Sequence, residues 1–407
     1  MPLTRGNWPS PADFAPAPDA KQLAAWDEAD RAARPARLTC LRSRFTEAGI
    51  DAYFGVRREH MRYLTGFALA DGEEKVAGNS GQFLIGADEV VLFADSRYTI
   101  QARREAPAAR LEAVYHDLPA RWPELAGTLG ATRIGVEAGY VSHAAWERLA
   151  AAAPDIELVP VEGWIEADRA IKEPAEIERI AAACDIADRA LAELLPEIGP
   201  GVTETALAFR LEWLMRTGGA EALAFDVTCL SGAEAALPHG APGDRPVGDR
   251  AVLLFDFGAQ VAGYRGDMTR TLFVGEPGSR DLEVYELVAR AQDAAIEALD
   301  DALASGSVPP SGRAIDALAR EVIAATGREP FAHGLGHGIG LATHELPTLG
   351  KRSLETALPS PTVFSVEPGI YLEGETGVRI EDLVVFDTSQ SSVGRLTQFP
   401  REVVIAG

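Results

Sequence analysis

The sequence predicts a two-domain chain: an α/β domain followed by a domain that opens on two helices and continues in strand hairpins. Three observations lead there. At 407 residues the chain can bury two substantial cores. Between residues 38 and 161 strand patterns alternate with helical ones, the order that builds a largely buried sheet with helices on its faces. Beyond a linker at residues 162–172, two helical stretches give way to apolar runs broken by glycine-containing turns.

Residues 1–18 are rich in proline and read as an extended arm. Residues 19–33 are Ala-rich and charged, which predicts a short surface helix with Asp19 as its N-cap. Residues 38–48 form an amphipathic helix that Gly49 stops, and residues 50–56 a strand. Residues 82–85 and 90–94 read as a strand pair. Strands at 111–115, 133–136 and 156–161 follow, with helices between them, the last at 144–153. After the linker, Pro174 suits the first turn of a helix running to about residue 195. A second helix has Thr203 as its N-cap and ends near Gly218. Ala206 cannot complete a capping box there.

Composition narrows the function. A hydrophobic share of 47% and a charged share of 24% are those of an ordinary soluble globular protein. The net charge of −23 repels phosphate and excludes nucleic acid as a partner. Cys40, Cys184 and Cys229 are scattered and form no CxxC pair, so reduced thiols and a cytoplasmic setting are expected. The first twenty residues lack the apolar stretch of a secretory signal, and no apolar run is long enough for a membrane span.

The chemistry concentrates in two hairpins. The apolar run 251–255 leads into Asp256, and 271–274 leads out of a glycine-containing turn. If that hairpin is centred on Val261-Ala262, Asp256 and Asp267 face each other. Facing carboxylates in a core repel, so one stays protonated unless a cation lies between them. The second hairpin, centred on Gly374, sets Glu367 opposite Glu381. Between the hairpins lies a glycine-rich stretch, 333–340, with His333 and His337. Four carboxylates and one imidazole suffice for a two-ion shell, and hard oxygen donors with one nitrogen suit manganese or a related divalent ion.

The run 256–270, the His337 segment, Glu367-Pro368-Gly369-Ile370-Tyr371 and Val378-Arg379-Ile380-Glu381-Asp382 together resemble the Xaa-Pro peptidases of the pita-bread metallopeptidase family. That group includes aminopeptidase P and prolidase, with creatinase and methionine aminopeptidase as relatives. The resemblance implies a creatinase-like α/β N-terminal domain over residues 1–168 and an α+β pita-bread catalytic domain, built as two similar halves, over residues 169–407. It implies Asp256, Asp267, His337, Glu367 and Glu381 as ligands of two divalent ions, manganese first, with cobalt or zinc as alternatives. The Pro238-His239 pair matches a family catalytic histidine, and His333 and His344 match two more that line the pocket. In the N-terminal domain, residues 61–67 and 94–98 carry the likeness; Asp95 and Arg97 read either as part of a capped turn or strand end or, as the resemblance implies, as residues that would face the active site of a neighbouring subunit. His60, His116 and His143 read as surface or structural residues.

The implied reaction is hydrolysis of the bond before a proline by a metal-activated water, releasing the N-terminal residue. Asp267 and Glu381 would bridge the ions, Asp256 would bind one of them and His337 the other. Glu367 would also carry the proton to the leaving nitrogen. His239 and His344 would polarise the scissile carbonyl, and His333 would shape the pocket for the second residue. Arg379, two residues before Glu381 on the same strand face, would brace the carboxylates. The substrate's ammonium would be read by the carboxylate shell. Proline lacks an N–H and has a locked φ, so a pocket can select it by shape. Thr348, four residues after His344, is not basic, whereas some prolidases place an arginine there to hold a dipeptide's carboxylate. This points to an Xaa-Pro aminopeptidase, with prolidase or a hydrolase of another small amide as alternatives. Creatinase lacks the full metal set, methionine aminopeptidase needs no N-terminal domain of this length, and relatives that serve as binding modules typically lose ligands. Family habit implies a homodimer or higher oligomer.

Overall fold

The computed structural model describes residues 2–70 and 77–407, so Met1 of the expected arm lies outside the described residues. The chain forms two compact units, Ala24–Asp168 and Met1–Leu23 together with Arg169–Gly407.

In the first of these units the elements are α1 (Ala20–Ser43, which begins in the arm), α2 (Phe45–Ala48), β1 (Ala52–Gly55), α3 (Arg58–Thr65), β2 (Phe83–Ile85), β3 (Val90–Phe93), α4 (Thr99–Glu105), β4 (Arg110–Glu112), α5 (Leu118–Thr128), β5 (Arg133–Glu137), α6 (His143–Ala152), β6 (Glu157–Val161) and α7 (Trp164–Ala170). The sheet order is β4-β3-β2-β1-β5-β6. It is mixed: β1 is parallel to β5 but antiparallel to β2. Strands buried on both faces read as continuous apolar runs, and Phe54, Phe93, Ile134 and Val136 pack with Trp122 of α5 in the core. The two helices expected at 19–33 and 38–48 are chiefly one. Trp26, Arg37 and Leu41 bury a common face, and the helix runs through Pro35 to keep it. Asp19 caps it by accepting from the Gln22 N–H at 2.8 Å. Gly49, at φ +63°, ends the short helix that follows.

His60 is fully buried and pairs with Glu137, whose other oxygen accepts from Val56 N–H and Arg57 N–H. It is a structural histidine, whereas His116 and His143 are exposed. Asp95 and Arg97 pair with each other at 2.8 Å, and the Arg97 guanidinium pushes the Asp95 carboxyl down to about 2.

The other unit starts with the arm. Leu3 bridges Val404, Trp8 Nε1 donates to Ile405 O at 3.1 Å, and the Phe14 ring stacks on Phe399. The expected extended arm is therefore tied to the chain's C-terminal segment. Two helices follow: α8 (Pro174–Leu194), with Pro174 in its first turn, and α9 (Glu204–Thr217), capped by the Thr203 hydroxyl. The strands β7 (Ala222–Leu223), β8 (Thr228–Ser231), β9 (Ala251–Phe257), β10 (Ala259–Val261), β11 (Tyr264–Arg265) and β12 (Met268–Val274) come next. A second pair of helices, α10 (Ser279–Ser305) and α11 (Gly312–Ala324), precedes β13 (Gly336–Gly338), β14 (Glu345–Leu349), β15 (Thr362–Val366), β16 (Gly369–Leu372), β17 (Thr376–Arg379), β18 (Asp382–Phe386), β19 (Gly394–Arg395) and β20 (Ile405–Ala406). Two helices then a sheet thus occur twice. The sheets are ordered β20-β12-β9-β8 and β14-β13-β15-β18-β19, with small ribbons β11-β10-β7 and β16-β17 beside them. Leu254, Phe273, Val288, Phe364, Ile380 and Phe386 belong to one continuous core between these elements.

The first acidic hairpin departs from expectation. Its register pairs Val261 with Tyr264 and Asp256 with Thr269, so Asp256 and Asp267 are not directly opposed. The turn residues are Ala262 and Gly263, at φ +46° and +84°. Two successive left-handed residues make the tight turn whose twist matches paired strands, and Gly263 rather than Val261 supplies the freedom it needs. Ala262 has to bear the same conformation with a Cβ. Ala262→Gly is expected to raise stability by ~0.5–1 kcal/mol, the relief of left-handed strain less glycine's entropic cost. Urea unfolding should show a higher midpoint with an unchanged slope.

The second hairpin has the expected register, with Gly369 opposite Arg379 and Val366 opposite Asp382. Glu367 and Glu381 fall at matched positions in the break between the two paired stretches. Their N–H groups leave the hairpin: Glu367 donates to Leu335 O at 2.8 Å and Glu381 to Thr269 O at 3.1 Å. That break ties the second hairpin to both the histidine segment and the first hairpin.

Candidate metal centre and active site

The expected site residues come from several different elements. Asp256 is near the end of β9, Asp267 just precedes β12 and His337 is in β13. Glu367 and Glu381 occupy the break in the second hairpin, and Arg379 ends β17. His239, His333 and His344 come from loops. All nine line one cavity of about 1080 Å³.

Asp267, His337 and Glu381 each bring one potential ligand atom within 4.8 Å of the others. His337 Nε2 is 3.7 Å from Asp267 Oδ2 and 3.4 Å from Glu367 Oε1. The Nδ1 of His337 lies 3.1 Å from Gly338 O, which places its proton there and leaves the Nε2 lone pair toward the carboxylates. Asp256 stands at the edge of this group, with its Oδ2 accepting from Arg379 Nη2 at 2.6 Å.

These carboxylates crowd one another. Burial, then the charges of Glu381, Asp256 and Glu367, push the Asp267 carboxyl well above its usual range. Burial, then Glu367 and Asp256, does the same to Glu381. Burial lifts Glu367 to about 7. Asp256 Oδ1 and Asp267 Oδ1 are buried and have no hydrogen-bond partner among the described residues. Buried oxygens with no donor, beside carboxyls that cannot all ionise, are what a divalent cation would satisfy. The donor set of four carboxylates and one imidazole nitrogen therefore fits such a metal.

Neighbouring side chains hold the set in place. Arg379 Nε donates to Thr269 Oγ1 at 2.9 Å, and Thr269 Oγ1 donates to Glu381 Oε2 at 2.7 Å. Ser365 Oγ donates to Glu367 Oε1 and accepts from His337 N–H, both at 3.1 Å. His333 donates from Nδ1 to Gly334 O at 2.7 Å, so its Nε2 accepts from the Tyr371 hydroxyl at 3.0 Å. That hydroxyl in turn accepts from Arg379 Nη1 at 3.0 Å. Burial pushes His333 and His344 down to about 4, leaving both neutral near pH 7. The His344 ring lies 4.2 Å from that of His337. Its neighbour Glu345 is buried against Arg169 and Lys172, which anchors the loop that carries His344.

Sequence reasoning does not single out Thr269, Ser365 or Tyr371. Thr269 and Ser365 each sit two residues from a ligand candidate, and the period of two along a strand puts them on the same face, which is a usable signal. Tyr371 offers no such signal, since its role depends on where the His333 loop packs. Thr348 lines the cavity too, opposite His337 in the β13–β14 ladder. Its hydroxyl is engaged with Ser353 Oγ at 2.8 Å.

The same domains recur in known proteins. The model of metallopeptidase family M24 matches residues 178–388, and that of the creatinase/prolidase N-terminal domain matches residues 37–171. The chain is 32% identical to an Xaa-Pro dipeptidase of Pyrococcus furiosus over 90% of this chain and 99% of that one. A solved Xaa-Pro dipeptidase from Bacillus anthracis superposes with a TM-score of 0.82 at 33% identity, covering 91% of this chain and 99% of the other. An X-Pro aminopeptidase from Thermotoga maritima superposes with a TM-score of 0.79 at 34% identity, with the same coverage. The chain belongs to metallopeptidase family M24, a family of divalent-metal enzymes, and carries a creatinase/prolidase N-terminal domain ahead of its pita-bread catalytic domain.

Proposed function

We propose that this enzyme is an Xaa-Pro dipeptidase working with two divalent ions held by Asp256, Asp267, His337, Glu367 and Glu381. The observation that carries the reading is the cluster of mutually repelling buried carboxyls around His337 Nε2, facing a cavity large enough for a dipeptide. The dipeptidase relatives, matched over 99% of their length, favour a dipeptide over the longer peptides suggested by Thr348. The Thermotoga aminopeptidase keeps the aminopeptidase as the second reading.

When bound, the ions would activate the attacking water as Lewis acids. The chain's own residues do the rest. Glu367, on the cavity wall with Oε1 3.4 Å from His337 Nε2, takes the water's proton and hands it to the departing proline nitrogen. His239 and His344 stand at the cavity wall, where an imidazole N–H can donate to the carbonyl oxygen as charge develops on it. His333, held by Tyr371, shapes the wall against the proline ring. Arg379 keeps Asp256 and, through Thr269, Glu381 in their positions. The carboxylates read the substrate's ammonium. On the same reading the metal is manganese, and the enzyme is a cytoplasmic homodimer or higher oligomer.

The test is cleavage of Ala-Pro, Ala-Pro-Ala and Ala-Ala by manganese-loaded protein. Release of alanine from Ala-Pro, with little from the other two, is the expected result. Rapid cleavage of Ala-Pro-Ala with little of Ala-Pro would move the assignment to the aminopeptidase. Metal analysis showing no bound ion would remove the basis of both.

A further inference from the structure

A site that takes a free dipeptide has to answer two opposite charges, and the acidic cluster answers only the ammonium. Among the described residues four cations line the cavity: Arg320, Lys351, Arg352 and Arg379. Two are committed. Arg320 is bonded to both oxygens of Asp316 and to the carbonyls of Phe331 and His333, and Arg379 to Asp256, Thr269 and Tyr371. Lys351 and Arg352 are exposed, and among the described residues neither has a hydrogen bond or ion pair. In a chain of net charge −23, two adjacent unpaired cations at the mouth of an acidic cavity stand out.

Their placement is fixed by backbone. Ser353 N–H donates to Gly350 O at 3.0 Å, closing a four-residue turn with Lys351 and Arg352 at its two central positions. The Thr348–Ser353 hydroxyl contact at 2.8 Å ties the turn's base together. Thr348 itself pairs with His337 across the β13–β14 ladder, so the turn grows from the strand alongside the metal centre's imidazole. Behind it, a Cβ on Gly334 would come within 2.8 Å of Leu349 O, so the stem lies directly against the His333 segment. A rigid turn thus carries two long, unengaged cationic side chains on the cavity wall.

We propose that the Gly350–Ser353 turn is the carboxylate grip of this enzyme, with Lys351 and Arg352 seizing the free C-terminus of the Xaa-Pro dipeptide. The inference rests on the dipeptidase reading and supplies its specificity. Thr348 then serves as the hydroxyl that pins the turn, and the cation its position lacks is provided three and four residues later. A longer peptide puts a neutral amide where these cations expect a carboxylate, and so forfeits the charge-assisted hydrogen bonds.

The test compares kcat/KM for Ala-Pro with that for Ala-Pro amide, which differs only in the missing negative charge. In Lys351→Ala/Arg352→Ala the ratio of the two values is expected to fall ~10–100-fold, chiefly through KM for the dipeptide, as loss of charge-assisted hydrogen bonds implies. The charge-keeping Lys351→Arg/Arg352→Lys should retain most of the ratio. The wild-type KM for Ala-Pro should also rise with ionic strength, since both cations are solvent-exposed. If wild type cleaves Ala-Pro and the alanine variant keeps the same ratio, the grip is elsewhere while the dipeptidase reading stands. If wild type does not cleave Ala-Pro, the dipeptidase reading fails and the grip falls with it.

Discussion

Glu381→Gln is expected to lower kcat/KM for Ala-Pro by on the order of 10³-fold or more, because weakened metal binding removes several kcal/mol of transition-state stabilisation. The same change should stabilise the metal-free protein. Asp267, Glu367 and Glu381 are buried together and each has its carboxyl raised, so in the absence of metal the folded state holds protons that the unfolded chain releases. For a raised carboxyl the contribution to stability is full below the ordinary glutamate value near 4.5 and is lost as pH climbs through the folded value, about 7 for Glu367. Metal-free wild type should therefore lose stability as pH rises from about 4.5 through about 7 by way of Glu367, with Asp267 and Glu381 adding to the loss, and Glu381→Gln should lose less. Adding metal at ~100 times its Kd should restore ~2.7 kcal/mol to wild type and clearly less to the variant. Thermal unfolding across this pH range, in chelator and in manganese, reads all three effects. Equal pH profiles for the two metal-free proteins would mean that the carboxylates do not oppose one another.

Arg270→Met should be the most destabilising single change in the catalytic unit, at ~3–5 kcal/mol. Arg270 is 1% exposed and donates to Asp382 Oδ1 and Phe399 O at 2.7 Å and to Glu381 O at 2.6 Å. Asp382 is equally buried and also accepts from Thr397 Oγ1 and Gln292 Nε2. Removing the guanidinium leaves a buried carboxylate without its nearest counter-charge, the next being Arg401 Nε at 3.8 Å, and carbonyls without donors. In a unit of this size the midpoint temperature should fall by on the order of 10 °C. Activity should fall as well, since Arg270 holds the backbone of Glu381. The double variant Arg270→Met/Asp382→Leu should recover part of the loss, because it no longer buries a carboxylate stripped of its nearest cation. A cost below ~1 kcal/mol for Arg270→Met would contradict this account of the network.

The amino-acid sequence by itself determined the features that depend on short range. Pro174 and Thr203 mark helix starts because φ restriction and a capping hydroxyl act within one turn. Gly374, at φ +74°, centres the second hairpin, so the matched positions of Glu367 and Glu381 could be read from spacing. The candidate ligands were legible for a related reason: acidic residues in apolar strands are costly unless something answers their charge. The tertiary structure decided what depends on partners distant in the chain. The first hairpin shifted its register because the turn took Ala262 and Gly263. Pro35 stayed inside a helix because Trp26, Arg37 and Leu41 needed one buried face. The arm joined the catalytic unit because the C-terminal segment offered it backbone partners. Thr348, read alone, argued against a grip on a free carboxylate. Only the fold shows its hydroxyl pinning a turn that holds Lys351 and Arg352 on the cavity wall, because a side chain's neighbours across a sheet are set by packing and not by its place in the sequence.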